Sequence, residues 1–186
     1  MEFHQGALYH IFNRGNNKQP LYYSAENYLF FLRKMRTHVF PEARLLAYCL
    51  MPNHFHWLLF VRNKNNQESN ALNKQIGILL RSYTQAMNKR FCRTGSLFQQ
   101  KTKAAQIKNQ SYALSCFHYI HQNPVKANLV AKMEQWPFSS FLDYARERNG
   151  TLVDKKFTCQ YLDINPKSIV EESKKAIDPR IINKLY

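Results

Sequence analysis

Apolar and polar positions alternate along this chain with two different periods. "ALYHIFNRG" is rich in aromatic and β-branched residues and closes on the turn-like "RGNNKQP", which predicts a first strand. From Ser24, a residue suited to an N-cap, apolar residues recur at helical spacing through Tyr28, Leu29, Leu32 and Met35 and stop near Pro41. "ARLLAYCLM" and "HFHWLLFVR" read as two strands joined through Met51-Pro52-Asn53, an antiparallel hairpin. A polar loop, "NKNNQESN", leads into a second amphipathic helix, "ALNKQIGILLRSYTQAMNKRF", and then into a strand region within "SLFQQKTKAAQIK". "NQSYALSCFHYIHQN" predicts a third helix ended by Pro124, because proline steers the preceding residue away from helical angles.

The order strand, helix, strand, strand, helix, strand, helix predicts an α+β fold, a ferredoxin-like sandwich with a mainly antiparallel sheet and helices on one face. The motif-bearing part is expected to span residues 1–135. A C-terminal extension, 136–186, reads as short helices and turns and carries no usable motif beyond about Arg148.

Length and composition narrow the class. The chain has 186 residues, 45% of them hydrophobic and 14% aromatic, enough apolar material for one folded domain rather than a disordered tail. Its charge is lopsided: 27 Lys and Arg stand against 12 Asp and Glu, a formal net charge of +15. Such a surface attracts polyanions, and nucleic acid, an anionic membrane and the ribosome all fit a basic balance that does not discriminate among them. No run reaches transmembrane length and the N-terminal stretch lacks a signal-peptide core, so no membrane partner and a cytoplasmic location are expected. Cys49, Cys92, Cys116 and Cys159 are widely spaced without a CxxC pair, which suits buried reduced thiols.

Chemistry concentrates in two places. In a strand, residues two apart share a face, so His54 and His56 of "NHFHW" project together and could hold one divalent cation, magnesium or manganese, with further oxygen ligands. Taken alone, the pair reads more readily as a turn cap and a satisfied core histidine than as a metal site. The second place is "CFHYIHQNPVKANLV", where Tyr119 and Asn123, four residues apart, share a helical face. A phenol can attack a phosphate, and an amide oxygen can ligate a cation. The competing reading makes Tyr119 a packing aromatic and Asn123 a helix cap, and His118, His121 and Gln122 stand nearby as alternates. Arg14, Lys101 and Lys103 are candidate phosphate contacts, with a solvated basic face as the alternative. Trp136 and Phe138 offer surfaces for unpaired bases. Tyr83 and Tyr112 compete with Tyr119, but Tyr83 has no asparagine four residues on.

"YHIFNRGNNKQPLY", "AYCLMPNHFHWLLF", "RTGSLFQQKTKA", "YIHQNPVKANLV" and "WPFSSF", in this order over most of the first 141 residues, resemble the single-tyrosine HUH transposases, and within them the REP-associated tyrosine transposase branch. His54-Phe55-His56 matches the histidine-hydrophobe-histidine motif. The resemblance implies that Tyr119 is the catalytic tyrosine and that Asn123 is the third metal ligand beside the two histidines. It further implies cleavage of single-stranded DNA next to a hairpin through a 5′-phosphotyrosine link, and strand transfer that reverses the attack. A descendant that keeps hairpin binding and has lost cleavage is the alternative. Such proteins act as dimers or monomers, and the sequence does not choose between them.

Overall fold

The computed structural model describes residues 1–62 and 70–175. The polar loop expected over residues 63–70 lies outside them except for Asn70, as do residues 176–186 of the expected C-terminal extension.

Four strands, β1 (Leu8–Arg14), β2 (Ala43–Met51), β3 (His54–Val61) and β4 (Lys103–Ile107), form one sheet in the order β2-β3-β1-β4, every pair antiparallel. With α1 (Ala25–His38) between β1 and β2 and α2 (Ala71–Arg90) between β3 and β4, this is the ferredoxin-like α+β arrangement that the element order predicts. Both helices cover one face. Phe31 of α1 packs against Phe55 and Trp57 of β3 and Tyr83 of α2, and the Tyr83 hydroxyl donates to the Leu21 carbonyl at 2.8 Å. Tyr83 is thus a core residue.

The other face is covered by α3 (Gln110–Lys126), whose helix begins on Asn109, a side chain that accepts from the Ser111 and Tyr112 amides. The helix does not stop at Pro124, as the sequence suggests, but runs two residues further. Proline costs a helix the hydrogen bond its missing N–H would have made to the carbonyl four residues back, here that of Ile120. Asn123 offsets this loss: its Nδ2 lies 3.4 Å from the Ile120 oxygen and 2.9 Å from that of Tyr119. So close to the helix end, a proline whose released carbonyl finds a side-chain donor does not terminate the element.

The segment after α3 completes the sheet. Leu50 N donates to Phe138 O and Ser140 N to Tyr48 O, both at 2.9 Å, so residues 138–140 lie along the outer edge of β2. The "WPFSSF" motif therefore covers an edge that would otherwise display unpaired backbone groups. Trp136 and Phe138 are engaged in this docking: Trp136 Nε1 donates to Leu50 O at 3.0 Å, and Phe138 stacks on Tyr28 with ring centroids 3.8 Å apart. The short helices α4 (Phe141–Tyr144), α5 (Lys155–Leu162) and α6 (Ile169–Ser173) follow, with α5 and α6 against α3. Of the four cysteines, Cys49 and Cys116 are buried thiols as expected, whereas Cys92 is exposed at the end of α2.

Ser140 is the joint of this assembly. Its buried Oγ accepts from Tyr48 N at 2.9 Å and sits 2.7 Å from His121 Nε2, linking the edge segment to β2 and to α3. Removing it strands two buried polar groups at once, and each such group costs about 1–3 kcal/mol. Ser140→Ala should lower unfolding free energy by at least about 2 kcal/mol in a urea titration, while an unchanged midpoint would mean that the Ser140 hydroxyl contributes nothing to stability.

Candidate functional site

The antiparallel register sets Phe12 opposite His56 and Arg14 opposite His54, and directly opposed residues point to the same side of a sheet. His54, His56, His10, Phe12, Arg14 and Lys103 consequently share the face on which α3 lies, while Phe55 points to α1. The alternation read from "NHFHW" is realised in full.

Each histidine is held by its Nδ1. That of His54 lies 2.7 Å from Asn53 Oδ1, and that of His56 lies 2.9 Å from Nε2 of His10. The His10 and His56 rings also stack, with centroids 5.1 Å apart at 14°. The His54 and His56 ring centroids are 5.1 Å apart at 89°, so the two rings lie side by side without stacking. Asn53 is itself fixed: its carbonyl accepts from Gly15 N at 2.8 Å and its Nδ2 donates to Lys18 O at 3.2 Å. Gly15 cannot carry a side chain here, since a Cβ would collide with the Gln19 carbonyl. The sequence "NRGNNKQP" is therefore a clamp on the β2–β3 turn.

Both imidazoles are held neutral. Burial first, and then the nearby Arg14 guanidinium, push His54 down to about 4, and burial with His10, His54 and Arg14 lowers His56 well below the ordinary histidine range. Neutral imidazoles whose Nδ1 is already engaged leave Nε2 as the ligating atom, the usual arrangement of metal-bound histidine. The donor set fits a divalent cation in chemistry, although among the described residues no cluster of three His, Cys, Asp or Glu side chains is present. Any third protein ligand must then be of another type, such as an amide oxygen.

The two histidines open into a cavity of about 300 Å³ whose walls include Arg14, Lys101 and Lys103. All three basic residues predicted from sequence are thus brought to the histidines. Lys103 belongs to β4 and its ammonium lies 5.7 Å from the Phe12 ring centre, while Lys101 lies two residues before the strand. Buried Asn13 places this stretch: its Nδ2 donates to Thr102 Oγ1 at 2.8 Å and Gln99 O at 3.2 Å.

Tyr119 comes to the same place from the other element. Its ring meets His56 edge-to-face with centroids 5.8 Å apart, and Lys126 Nζ lies 5.4 Å from its centre. Only 4% of Tyr119 is exposed, so it is screened from bulk water. Asn123 lies one turn further along α3; with Nδ2 turned back onto the helix carbonyls, Oδ1 is the atom that faces away. The alternates are committed elsewhere: His121 to Ser140, His118 Nδ1 to Ser173 Oγ at 2.8 Å, and Gln122 Nε2 to the carbonyls of Ser173 and Lys175. Tyr112 is half-buried near the start of the helix.

Sequence reasoning missed His10, Asn13 and Asn53. His10 looks like any strand residue, because the partner that gives it meaning is 46 positions away. The signal that could have found it is a fully polar imidazole inside the apolar run "LYHIF".

Comparison with known proteins bears on this constellation. No protein-family model matches the chain. A sequence named as a putative REP-associated tyrosine transposase from Haemophilus influenzae is 26% identical over 105 residues, 52% of this chain and 57% of that protein, so the match spans little more than half of the relative's length. A solved structure of a REP-associated tyrosine transposase bound to a REP hairpin superposes with a TM-score of 0.58 at 21% identity, covering 83% of this chain and 91% of the other. The chain resembles REP-associated tyrosine transposases in sequence and in fold. The structural likeness to that transposase is one of fold, and it agrees with the α+β sandwich read from the sequence. Among the described residues no helix is long and apolar enough to cross a membrane.

The two histidines of the motif differ in what they do for stability. His56 is fully buried between His10, Phe12 and Tyr119, whereas His54 sits half-buried at the cavity mouth. His56→Ala should cost about 2–3 kcal/mol through the cavity it leaves, and His54→Ala less than about 1 kcal/mol. Equal losses in parallel denaturation curves would contradict this division.

Proposed function

We propose that this protein cleaves single-stranded DNA beside a hairpin and rejoins it, through a covalent bond to Tyr119. The observation that carries the reading is the meeting of the Tyr119 ring with His56 on the sheet face that also presents Arg14, Lys101 and Lys103. A phenol can serve as the nucleophile in phosphoryl transfer from a DNA backbone, and clustered cations stabilise the charge that develops.

In this scheme Arg14, Lys101 and Lys103 bind the phosphates and carry the salt-sensitive part of the affinity. The Tyr119 oxygen attacks phosphorus, the bond from phosphorus to the 3′-oxygen breaks, and that oxygen leaves with a proton as a free 3′-hydroxyl. The phenol proton passes to solvent. Attack by a 3′-hydroxyl on the 5′-phosphotyrosine restores the phenol and joins the strands, so the bond energy is conserved without a nucleotide cofactor. His54 and His56, through Nε2, and Asn123, through Oδ1, would hold a magnesium or manganese ion, which when bound supplies Lewis-acid polarisation of the scissile phosphate. His10 and Asn53 fix the two imidazoles for that task.

The related protein bound to a REP hairpin supports hairpin DNA as the partner. A DNA-bound form must also expose the phenol, since the ring is screened in the absence of a strand.

Two measurements test this. With a hairpin oligonucleotide carrying a single-stranded extension and Mn²⁺ or Mg²⁺, the wild-type chain should give a covalent adduct on a denaturing gel, and Tyr119→Phe should give none. Hairpin binding without an adduct in either would leave a DNA-binding protein that does not cleave, and a nick without an adduct would indicate a water nucleophile. Separately, His10→Phe should keep the stack but weaken Mn²⁺ binding about 10- to 100-fold by calorimetry. Affinity equal to wild type would reduce His10 to a packing residue.

A further inference from the structure

A second cleft, of about 480 Å³, lies at the end of α3 and is larger than the one beside the histidines. Its floor includes Val125 and Met133, and its rim carries Lys126, Lys132, Lys174 and Lys175 against a single carboxylate, Glu134. Lys174 is engaged by Glu171 at 2.8 Å, which leaves Lys126, Lys132 and Lys175 as the cations offered to a ligand. One wall is firmly built: buried Gln122 donates from Nε2 to the carbonyls of Ser173 and Lys175, both at 2.8 Å, and neighbouring His118 bonds Ser173. The cleft is therefore fixed to the helix that carries Tyr119. Lys126 belongs to both places, lining the cleft while its ammonium lies over the Tyr119 ring.

We propose that this cleft receives the unpaired DNA strand adjoining the scissile phosphate, with its phosphates on Lys126, Lys132 and Lys175 and a nucleobase against Val125 and Met133. Lys126, whose ammonium lies 5.4 Å from the Tyr119 ring centre, also lines this cleft, so a strand held at the phenol would meet that cation and then the cleft. The volume falls within the range of small-ligand sites and admits a nucleotide. The lining named here carries no aromatic ring and makes contact through charge and apolar surface, so it reads the backbone and tolerates many base sequences. On this reading the hairpin stem does not use the cleft. The proposal rests on Tyr119 as the point of attack, but its test does not require cleavage.

The experiment compares full-length wild type with the double variant Lys132→Glu/Lys175→Glu by fluorescence anisotropy. Three probes are used: a blunt hairpin, the same hairpin with a single-stranded extension of about eight nucleotides, and the extension alone. The variant should lose about tenfold in affinity for both probes that carry the extension, with a salt slope shallower by about 1.4 for two lost contacts to a single strand. The blunt hairpin should bind within twofold of wild type, and Lys132→Arg/Lys175→Arg should restore the extended probes. Unchanged affinity for the extension, or an equal loss on all three probes in a variant with an unaltered melting temperature, overturns the proposal. Absence of a Tyr119 adduct with an intact contrast between probes would sink the cleavage reading and leave the strand-binding cleft standing.

Discussion

The site depends on the pleat of β3. Because successive residues of a strand face opposite ways, Phe55 can anchor the hydrophobic layer beneath α1 while His54 and His56 stand together on the far side. A shift of one residue in register would exchange the two sets, placing two imidazoles in an aromatic core and a phenylalanine in the basic cavity. Register is therefore under strong constraint from both faces: Phe55 and Trp57 are fully buried on one, and His56 is fully buried on the other. The neutrality of the histidines follows from this placement, since burial is the first cause that depresses both.

What could be read from the sequence is what local periodicity and short spacing encode. The i, i+2 histidines, the i, i+4 pair Tyr119 and Asn123, the element order and the fold class all reappear, and Arg14, Lys101 and Lys103 converge on one cavity. What could not be read depends on partners far away in the chain. His10 acquires its role only when β1 pairs with β3, and the motif around Ser140 only when it reaches back 92 positions to Tyr48. The end of α3, at Lys126 rather than before Pro124, has a different cause. Proline disfavours helical angles in the residue before it, yet Asn123 stays within the helix, its side chain bonded to the carbonyls of Tyr119 and Ile120.

That same asparagine shows how one residue can serve backbone and site together. Asn123 Nδ2 is turned back onto the carbonyls of Tyr119, at 2.9 Å, and Ile120, the one Pro124 leaves without a backbone donor, and an amide with its nitrogen so occupied presents its oxygen outward. The dipeptide Asn-Pro thus works as a unit, with the ring that weakens the helix also orienting the side chain before it. Gly15 and Asn53 make a comparable unit at the other end of the site, where a residue without a side chain lets a turn close on the loop that steadies His54.

The covering of β2 by residues 138–140 has a consequence for biosynthesis. During translation the sheet's four strands emerge well before the segment that seals their outer border, so a nascent chain spends time with hydrogen-bonding groups of β2 bare. Such an interval favours pairing with a neighbour's strand. Docking of residues 138–140 closes that interval.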